Sequence, residues 1–250
     1  MEPRTNPTLL VFTLGAAAES ARRNLLPAGQ RALETELWAG CLTTALDAGR
    51  ACGCALEVCS PAPLSVPPDA RSVRQPDGPF GRRLEGALRD AFSRGAGPLL
   101  VVGTDVPGLA ARHLALALAA LAAEPDRVVL GPSPDGGFYL LACSRPIPGL
   151  AAATRWRRRD TLRGLIRALR TAGRSVVLLE PLGDLDSRAD LERWLAADPG
   201  GEESWRGLAR SLQRLLARRR RPPLPARLGG LLPAVVPIVA GRAPPVQPAR

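Results

Sequence analysis

The hydrophobic and polar positions of the first 200 residues alternate between short apolar runs and longer amphipathic stretches. From residue 28 to 51, apolar side chains recur at steps of three and four residues, as they do on one face of a helix. The whole pattern predicts strands over 8–12, 54–60, 98–103, 127–131, 138–143 and 175–180, and helices over 28–51, 80–94, 110–123, 161–172 and 187–196. Strands that alternate with such helices predict an α/β fold, with a mostly parallel sheet covered by helices on both faces.

The pattern changes after Asp198, where Pro-Gly-Gly precedes a basic amphipathic stretch. The apolar side chains at helical spacing there are Trp205, Leu208, Leu212, Leu215 and Leu216, and arginines occupy positions 206, 210, 214 and 218. Beyond residue 221 the chain is rich in proline and arginine, which is typical of flexible tails. We therefore predict an α/β domain at 1–198, a basic amphipathic helix at 199–221 and a flexible tail at 222–250.

The composition excludes several kinds of chemistry. All 34 basic residues are arginines, and without lysine the chain cannot form a Walker phosphate loop or a Schiff base. The single histidine, His113, argues against a Ser-His-Asp triad, and we interpret it as an ordinary helix-surface residue. Five cysteines without Cys-x-x-Cys spacing disfavour a zinc knuckle or a disulfide framework. With no signal-peptide layout and no long apolar run, we expect a cytoplasmic protein.

The net charge of +11 is concentrated near the end of the chain, because residues 201–250 hold ten arginines against Glu202 and Glu203. An amphipathic helix at 205–221 could lie on an anionic membrane surface as a peripheral contact. Alternatively, the leucines of this helix pack on the α/β domain, and its arginines form a solvent-exposed face that keeps the protein soluble. Nucleic acid is an unfavoured partner, since this part of the chain has one aromatic residue for stacking.

Two acidic turns follow predicted strands. Asp105 ends the run Val-Val-Gly-Thr-Asp, where a carboxylate could hold a divalent cation or a ribose hydroxyl. It could equally cap the next helix or form an Asx turn before Pro107. Asp135 precedes Gly136 and Gly137, which would let a ligand approach the backbone. The alternative there is a hairpin turn, for which Asp-Gly between apolar runs is a strong signal.

A third acidic segment follows the last predicted strand of the domain. Ser187 and Asp190 have the spacing of a helix N-cap and its capping box. Capping leaves Asp184 and Asp186 unexplained. Because they alternate along an extended segment, one of their carboxylates could reach the metal.

Three motifs together resemble a bacterial family of glycosyltransferase-A-like proteins, commonly labelled CofC-like or radical-SAM-associated glycosyltransferases. They stand here as Gly103 to Leu109, Leu130 to Leu140 and Asp184 to Leu191. The resemblance is extended by Gln75, Gly78, Gly81, Arg83 and Leu84, which look like the family's Gln-x-x-Gly-x-x-Gly-x-Arg-Leu segment, and by Trp156. It covers roughly residues 8–195 and implies a glycosyltransferase-A-like, Rossmann-like sheet.

The resemblance also implies a function, namely metal-dependent transfer from a nucleotide-activated donor to an acceptor that the sequence does not identify. Glycosyl transfer is the first expectation, and nucleotidyl transfer resembling that of the guanylyltransferases is the alternative. The implied catalytic residues are Asp105 and Asp135, and the implied metal ligands for Mg²⁺ or Mn²⁺ are Asp105 and Asp186. The implied donor-binding residues are Arg22, Gln75, Gly103, Thr104, Gly136 and Gly137.

The first loop departs from the family pattern. There the family has a lysine, a Pro-x-x-Gly and a Lys-Thr-Arg-Leu sequence, whereas this chain has Leu14 and Glu19 in place of the lysine and the glycine. Arg22, Arg23 and Asn24 stand at the Lys-Thr-Arg positions, so positive charge is kept in a different geometry. This departure leaves a third hypothesis open, a degenerate transferase domain that serves as a scaffold.

Overall fold

The computed structural model describes residues 6–197 and 203–220, and these contain seven strands and seven α-helices. The strands are β1 (Thr8–Phe12), β2 (Ala55–Ser60), β3 (Ala70–Arg74), β4 (Leu99–Val102), β5 (Val128–Pro132), β6 (Phe138–Cys143) and β7 (Val176–Leu178). The helices are α1 (Ala16–Arg23), α2 (Arg31–Ala51), α3 (Phe80–Ser93), α4 (Ala111–Ala123), α5 (Thr161–Thr171), α6 (Arg188–Ala196) and α7 (Glu203–Arg220). Two 3₁₀ turns lie at Ala28–Gln30 and Leu150–Ala152.

The strands form one sheet in the order β3-β2-β1-β4-β6-β5-β7. Strand β6 runs antiparallel to β4 and to β5, and the other neighbouring strands are parallel. Leu9 and Val11 pack on one face with Leu114 of α4, and Leu10 packs on the other with Leu165 of α5. Because both faces are covered, β1 and β4 are apolar at nearly every position. The predicted α/β fold class is confirmed.

Two elements of the structure were not predicted. Strand β3 has the sequence Ala-Arg-Ser-Val-Arg and lies at the sheet edge, where one side of the strand stays in water and polar residues are tolerated. Helix α1 has the sequence Ala-Ala-Ala-Glu-Ser-Ala-Arg-Arg, in which no large apolar residue marks a helical period. It occupies part of the segment that the family resemblance places in a loop.

The interpretation of His113 as a surface residue was wrong, because its side chain is completely buried. Its Nδ1 accepts a hydrogen bond from the backbone N–H of Ala110 at 2.9 Å, at the start of α4. Its Nε2 is 2.8 Å from a carboxylate oxygen of Glu180, and its ring packs edge-on against Tyr139. Helix periodicity could not predict this burial, because the contacts with Tyr139 and Glu180 come from segments more than 20 residues away.

Helix α7 spans most of the stretch predicted as amphipathic. Within it Ala209 and Leu212 are buried, and Gln213 donates a hydrogen bond to the backbone carbonyl of Leu195 at 2.9 Å. Residues 198–202 and 221–250 lie outside the described residues, so the predicted boundaries at 198 and 221 stay predictions. Among the residues described, no helix has the length and apolar content needed to cross a bilayer.

Candidate active site

A cleft with a volume of about 590 Å³ opens at the carboxyl ends of β1 and β4. Ligands of open α/β sheets commonly bind at this edge. The structure brings together in its lining most of the site residues predicted from the sequence: Arg22, Gln75, Gly103, Thr104, Asp105, Asp135, Gly137 and Asp186. Gly136 is the exception, because it lines a neighbouring groove.

Three carboxylates form an acidic cluster in this cleft. Asp135, Asp184 and Asp186 each place an oxygen within 4.8 Å of the other two. Asp184 and Asp186 lie on either side of Leu185 in the sequence. The side chain of Leu185 is buried, and its backbone N–H donates a hydrogen bond to the backbone carbonyl of Asp105 at 2.8 Å. Because side chains two apart in an extended segment lie on one side, this anchor puts both acids in the cleft. We call Asp135, Asp184 and Asp186 the acidic trio.

Asp135 reaches the trio from the tip of the β5–β6 hairpin. The N–H of Ser133 donates to the carbonyl of Gly137, and the N–H of Gly136 donates to the carbonyl of Ser133, each at 3.1 Å. Asp135 accepts a hydrogen bond from Gly137 at 2.8 Å, and Gly136 has a φ of +92° that favours glycine. The hairpin alternative for this segment is therefore confirmed, and the same turn places an acid in the cleft.

Arg23 lies between two of the acids. Its Nη2 donates to Asp105 at 2.8 Å, and its Nη1 forms an ion pair with Asp186. The side chain is only 11% exposed. Its Nε has no hydrogen-bond partner among the described residues and lies 3.9 Å from Glu19. Sequence reasoning did not include Arg23 in the site, although its match to the Lys-Thr-Arg positions was the signal that could have found it.

The neighbouring Arg22 pairs with a different acid, Glu19. Its Nε and Nη2 donate to Glu19 at 3.2 and 2.9 Å, one turn earlier in α1. Glu19 is itself buried and accepts a hydrogen bond from the N–H of Leu14 at 3.4 Å. Leu14, Glu19 and Arg22, which differ from the family pattern, are therefore connected by hydrogen bonds to the Glu19 carboxylate.

Asp105 is not part of the acidic trio, and the neighbouring residues Gly103 and Thr104 determine the conformation of its turn. A Cβ on Gly103 would approach the Asp105 carboxylate to 2.5 Å, so a side chain at this position would displace that carboxylate. Thr104 forms a hydroxyl–hydroxyl hydrogen bond of 2.9 Å with Thr13, which joins the turns after β4 and β1. Gly103 and Thr104 thus fix the carboxylate that contacts Arg23.

Negative charge is in excess close to the acidic trio. Burial, together with the charges of Asp135 and Asp105, raises the pKa of Asp184 to about 6. Burial also raises the pKa of Asp105, and the Arg23 guanidinium opposes this shift. Carboxylate oxygens are the ligands that Mg²⁺ and Mn²⁺ prefer, so the donor set of the trio fits such a cation.

Gln75 also lines the cleft, and its buried side chain forms hydrogen bonds through both its amide nitrogen and its amide oxygen. Its Nε2 donates to the backbone carbonyls of Thr13 and Cys59 at 2.9 and 2.8 Å. Its Oε1 accepts from Arg83 at 2.6 Å. Gln75 therefore joins the ends of β1 and β2 and positions Arg83, whose guanidinium lies 5.8 Å from the ring centroid of Phe12.

An aromatic wall follows Arg83 along the cleft, formed by Phe12, Phe80 and Trp156. The centroids of Phe12 and Phe80 are 5.8 Å apart, and those of Phe80 and Trp156 are 5.4 Å apart. Trp156 is fixed by a 2.8 Å hydrogen bond from its indole N–H to the carbonyl of Ala151. Periodicity alone gave no signal for this wall, because its members come from three separate elements.

The fold is that of nucleotide-diphospho-sugar transferase structures. A provisionally assigned nucleotide-diphospho-sugar transferase from Desulfovibrio desulfuricans G20 is 19% identical, with a TM-score of 0.74 over 86% of this chain and 98% of that one. Rv0371c from Mycobacterium tuberculosis H37Rv is 17% identical, with a TM-score of 0.52 over 77% and 99%. Its complex with manganese is 20% identical, with a TM-score of 0.50 over 77% and 100%. At these identities the likeness defines the fold.

The chain belongs to the family described as "Uncharacterized protein conserved in bacteria (DUF2064)", whose model matches residues 33–158. The match includes Asp105 and Asp135, and it ends before Asp184 and Asp186. No curated protein matches the chain.

Proposed function

We propose that this protein is a metal-dependent transferase that uses a nucleotide-activated donor, with glycosyl transfer as its reaction. The observation that carries the proposal is the acidic trio in a cleft whose lining also contains an aromatic wall and Arg83. The trio suits a cation with phosphate oxygens, and the aromatic wall suits a flat ring. The likeness to the D. desulfuricans protein supports the reaction class.

In this proposal the metal ligands are Asp135, Asp184 and Asp186. A bound Mg²⁺ or Mn²⁺ would supply positive charge that neutralises the diphosphate of the leaving group. The manganese complex of Rv0371c supports a divalent cation in this fold. Asp105, which the family resemblance places among the metal ligands, would instead orient Arg23.

The remaining roles fall to side chains already in the cleft. Arg23 is close enough to the trio to contact a phosphate oxygen of the donor, and its planar guanidinium suits that contact. Asp135 is exposed at the hairpin tip, where it can also orient an acceptor hydroxyl. Phe80 and Trp156 would pack against the ring of the donor nucleoside.

A binding experiment separates the transferase from the scaffold hypothesis. The purified chain is titrated with Mn²⁺ and then, in the presence of Mn²⁺, with nucleoside diphosphates while thermal unfolding is followed. We expect Mn²⁺ binding that Asp184→Asn and Asp186→Asn abolish, and stabilisation by at least one nucleoside diphosphate, because ligands of the native state raise its stability. Asp77→Asn is the matched control, since Asp77 is almost fully exposed. Absence of Mn²⁺ binding by the unaltered chain would refute the proposal.

A product assay then separates glycosyl from nucleotidyl transfer. Release of a nucleoside diphosphate from a nucleotide sugar supports glycosyl transfer. Release of pyrophosphate from a nucleoside triphosphate supports nucleotidyl transfer and overturns the first choice.

A further inference from the structure

A second concave surface, which we call the α5 groove, adjoins the cleft. It has a volume of about 740 Å³ and is lined by Gly136, by Arg159 and by one side of α5. The arginines that α5 contributes are Arg163, Arg167 and Arg170, and all are exposed. Arg159 lines both the cleft and the groove, so the two are continuous.

The positive charge of this region is not balanced within the described part of the chain. Between residues 155 and 170 there are seven arginines and one acid, Asp160. Among the residues that the structure describes, most arginines outside this segment are in ion pairs, as Arg94 is with Glu57. The groove arginines form no side-chain hydrogen bond or ion pair with any residue that the structure describes.

This arrangement is unfavourable for the isolated protein. Arg163 and Arg167 are four residues apart on α5, and Arg170 follows three residues later, so like charges repel one another along one side of the helix. An external anion would remove the repulsion.

The shape of the groove indicates the kind of anion. From Arg163 to Arg170 the helix rises about 10 Å, which is longer than a single phosphate group. The groove is concave, whereas a bilayer presents a broad flat surface. Its lining contains Leu162 and Ile166 and no aromatic residue on which a base could stack.

We propose that the α5 groove binds a linear chain of phosphate groups through the guanidinium groups of Arg159, Arg163, Arg167 and Arg170. Each guanidinium offers a planar pair of donors that matches two phosphate oxygens. In this proposal the arginines recognise the negative charges and their spacing along the phosphate chain, and they contact no base and no lipid tail.

The test uses the full chain, with short-chain inorganic polyphosphate as the probe and a groove variant in which Arg163, Arg167 and Arg170 are all changed to glutamine. The matched control changes Arg71, Arg74 and Arg89 to glutamine, because these arginines are exposed, lie outside the groove and remove the same charge. Circular dichroism confirms that both variants fold.

We expect the groove variant to bind polyphosphate at least about ten-fold more weakly, and the control to bind within about two-fold of the unaltered chain. The slope of log K against log salt should fall by about two to three in the groove variant, as three phosphate contacts are lost. Asp184→Asn should bind polyphosphate normally, so failure of the metal site and failure of the groove are distinguishable.

Three results would overturn the inference. Equal weakening in both variants would mean that only net charge matters. Orthophosphate binding as tightly as polyphosphate would mean that the site holds a single anion. The third result has two parts: the unaltered chain does not bind polyphosphate, and it sediments with phosphatidylglycerol vesicles whereas the groove variant does not. That result would mean that the groove binds a bilayer.

Discussion

Replacing Arg23 by methionine tests whether this guanidinium stabilises the acidic cleft. The change keeps an apolar stem of similar length and removes the positive charge between Asp105 and Asp186. Removing one partner of a fully buried ion pair costs about 3–5 kcal/mol. The side chains of Asp105 and Asp186 are 32% and 45% exposed, so water screens the charges left behind. We therefore expect a loss of about 2 kcal/mol in the free energy of unfolding at neutral pH.

The matched control is Arg22→Met, one residue earlier in α1. Arg22 is 38% exposed and, among the residues described, its side chain pairs with Glu19 alone, so its removal should cost less than about 1 kcal/mol. Urea unfolding followed by circular dichroism measures both variants and the unaltered chain. Arg23→Lys, which keeps the charge without the planar fork, should recover part of the loss.

The pH dependence of the Arg23→Met variant identifies the cause of its loss. Without the guanidinium, the pKa of Asp105 should rise further above its unfolded value, because the group that opposes the shift is gone. The native state then binds more protons than the unfolded state, so the stability of the variant increases as pH falls through the raised pKa of Asp105. The difference in stability from the unaltered chain should shrink as pH falls below neutral. A loss that does not change with pH, or one that Arg22→Met matches, would refute the reasoning.

The remaining predictions concern the hairpin, the buried histidine and one acid of the trio. Gly136→Ala should lower the thermal unfolding midpoint strongly, because a Cβ there overlaps the backbone carbonyl of Arg159 and φ is +92°, and Gly137→Ala should lower it less. His113→Ala should lower the free energy of urea unfolding by about 2 kcal/mol, because the buried ring also accepts the hydrogen bond that begins α4. The pKa of Asp184 is raised to about 6, so the native state of the metal-free protein takes up a proton before the unfolded state does. Its stability relative to Asp184→Asn should therefore rise as pH falls from about 7 to 5, and parallel curves would contradict this.

Much of the sheet could be predicted because burial on both faces leaves a direct signature in sequence. The runs Thr8–Phe12 and Leu99–Val102 are apolar because helices cover them above and below. Strand β3 gave no such signature, since edge positions accept arginine and serine. Helix α1 gave none either, because it is short and buries Glu19 and Ser20 in place of large apolar residues.

The acids of the candidate site could be predicted from their positions after strands. The ion pairs that arginines form with those acids could not be predicted. Asp105, Asp135 and Asp186 all line one cleft, as their places after strands suggested. The sequence gives no means of choosing between Arg22 and Arg23, because they differ by one position on a helix. Only the fold shows that Arg22 pairs with Glu19 and that Arg23 pairs with Asp105.

The position of β6 has a consequence for the order in which the chain folds. Strand β6 lies between β4 and β5 and pairs with both, so β5 and β7 join the sheet only through it. While the nascent chain has not yet released Phe138–Cys143, the apolar edge of β4 has no strand beside it, and such edges promote aggregation. Closure of the short Asp-Gly hairpin brings β5 and β6 to that edge as a unit. We expect pulse-labelled amide exchange during refolding to show β4, β5 and β6 gaining protection together, later than β1 and β2.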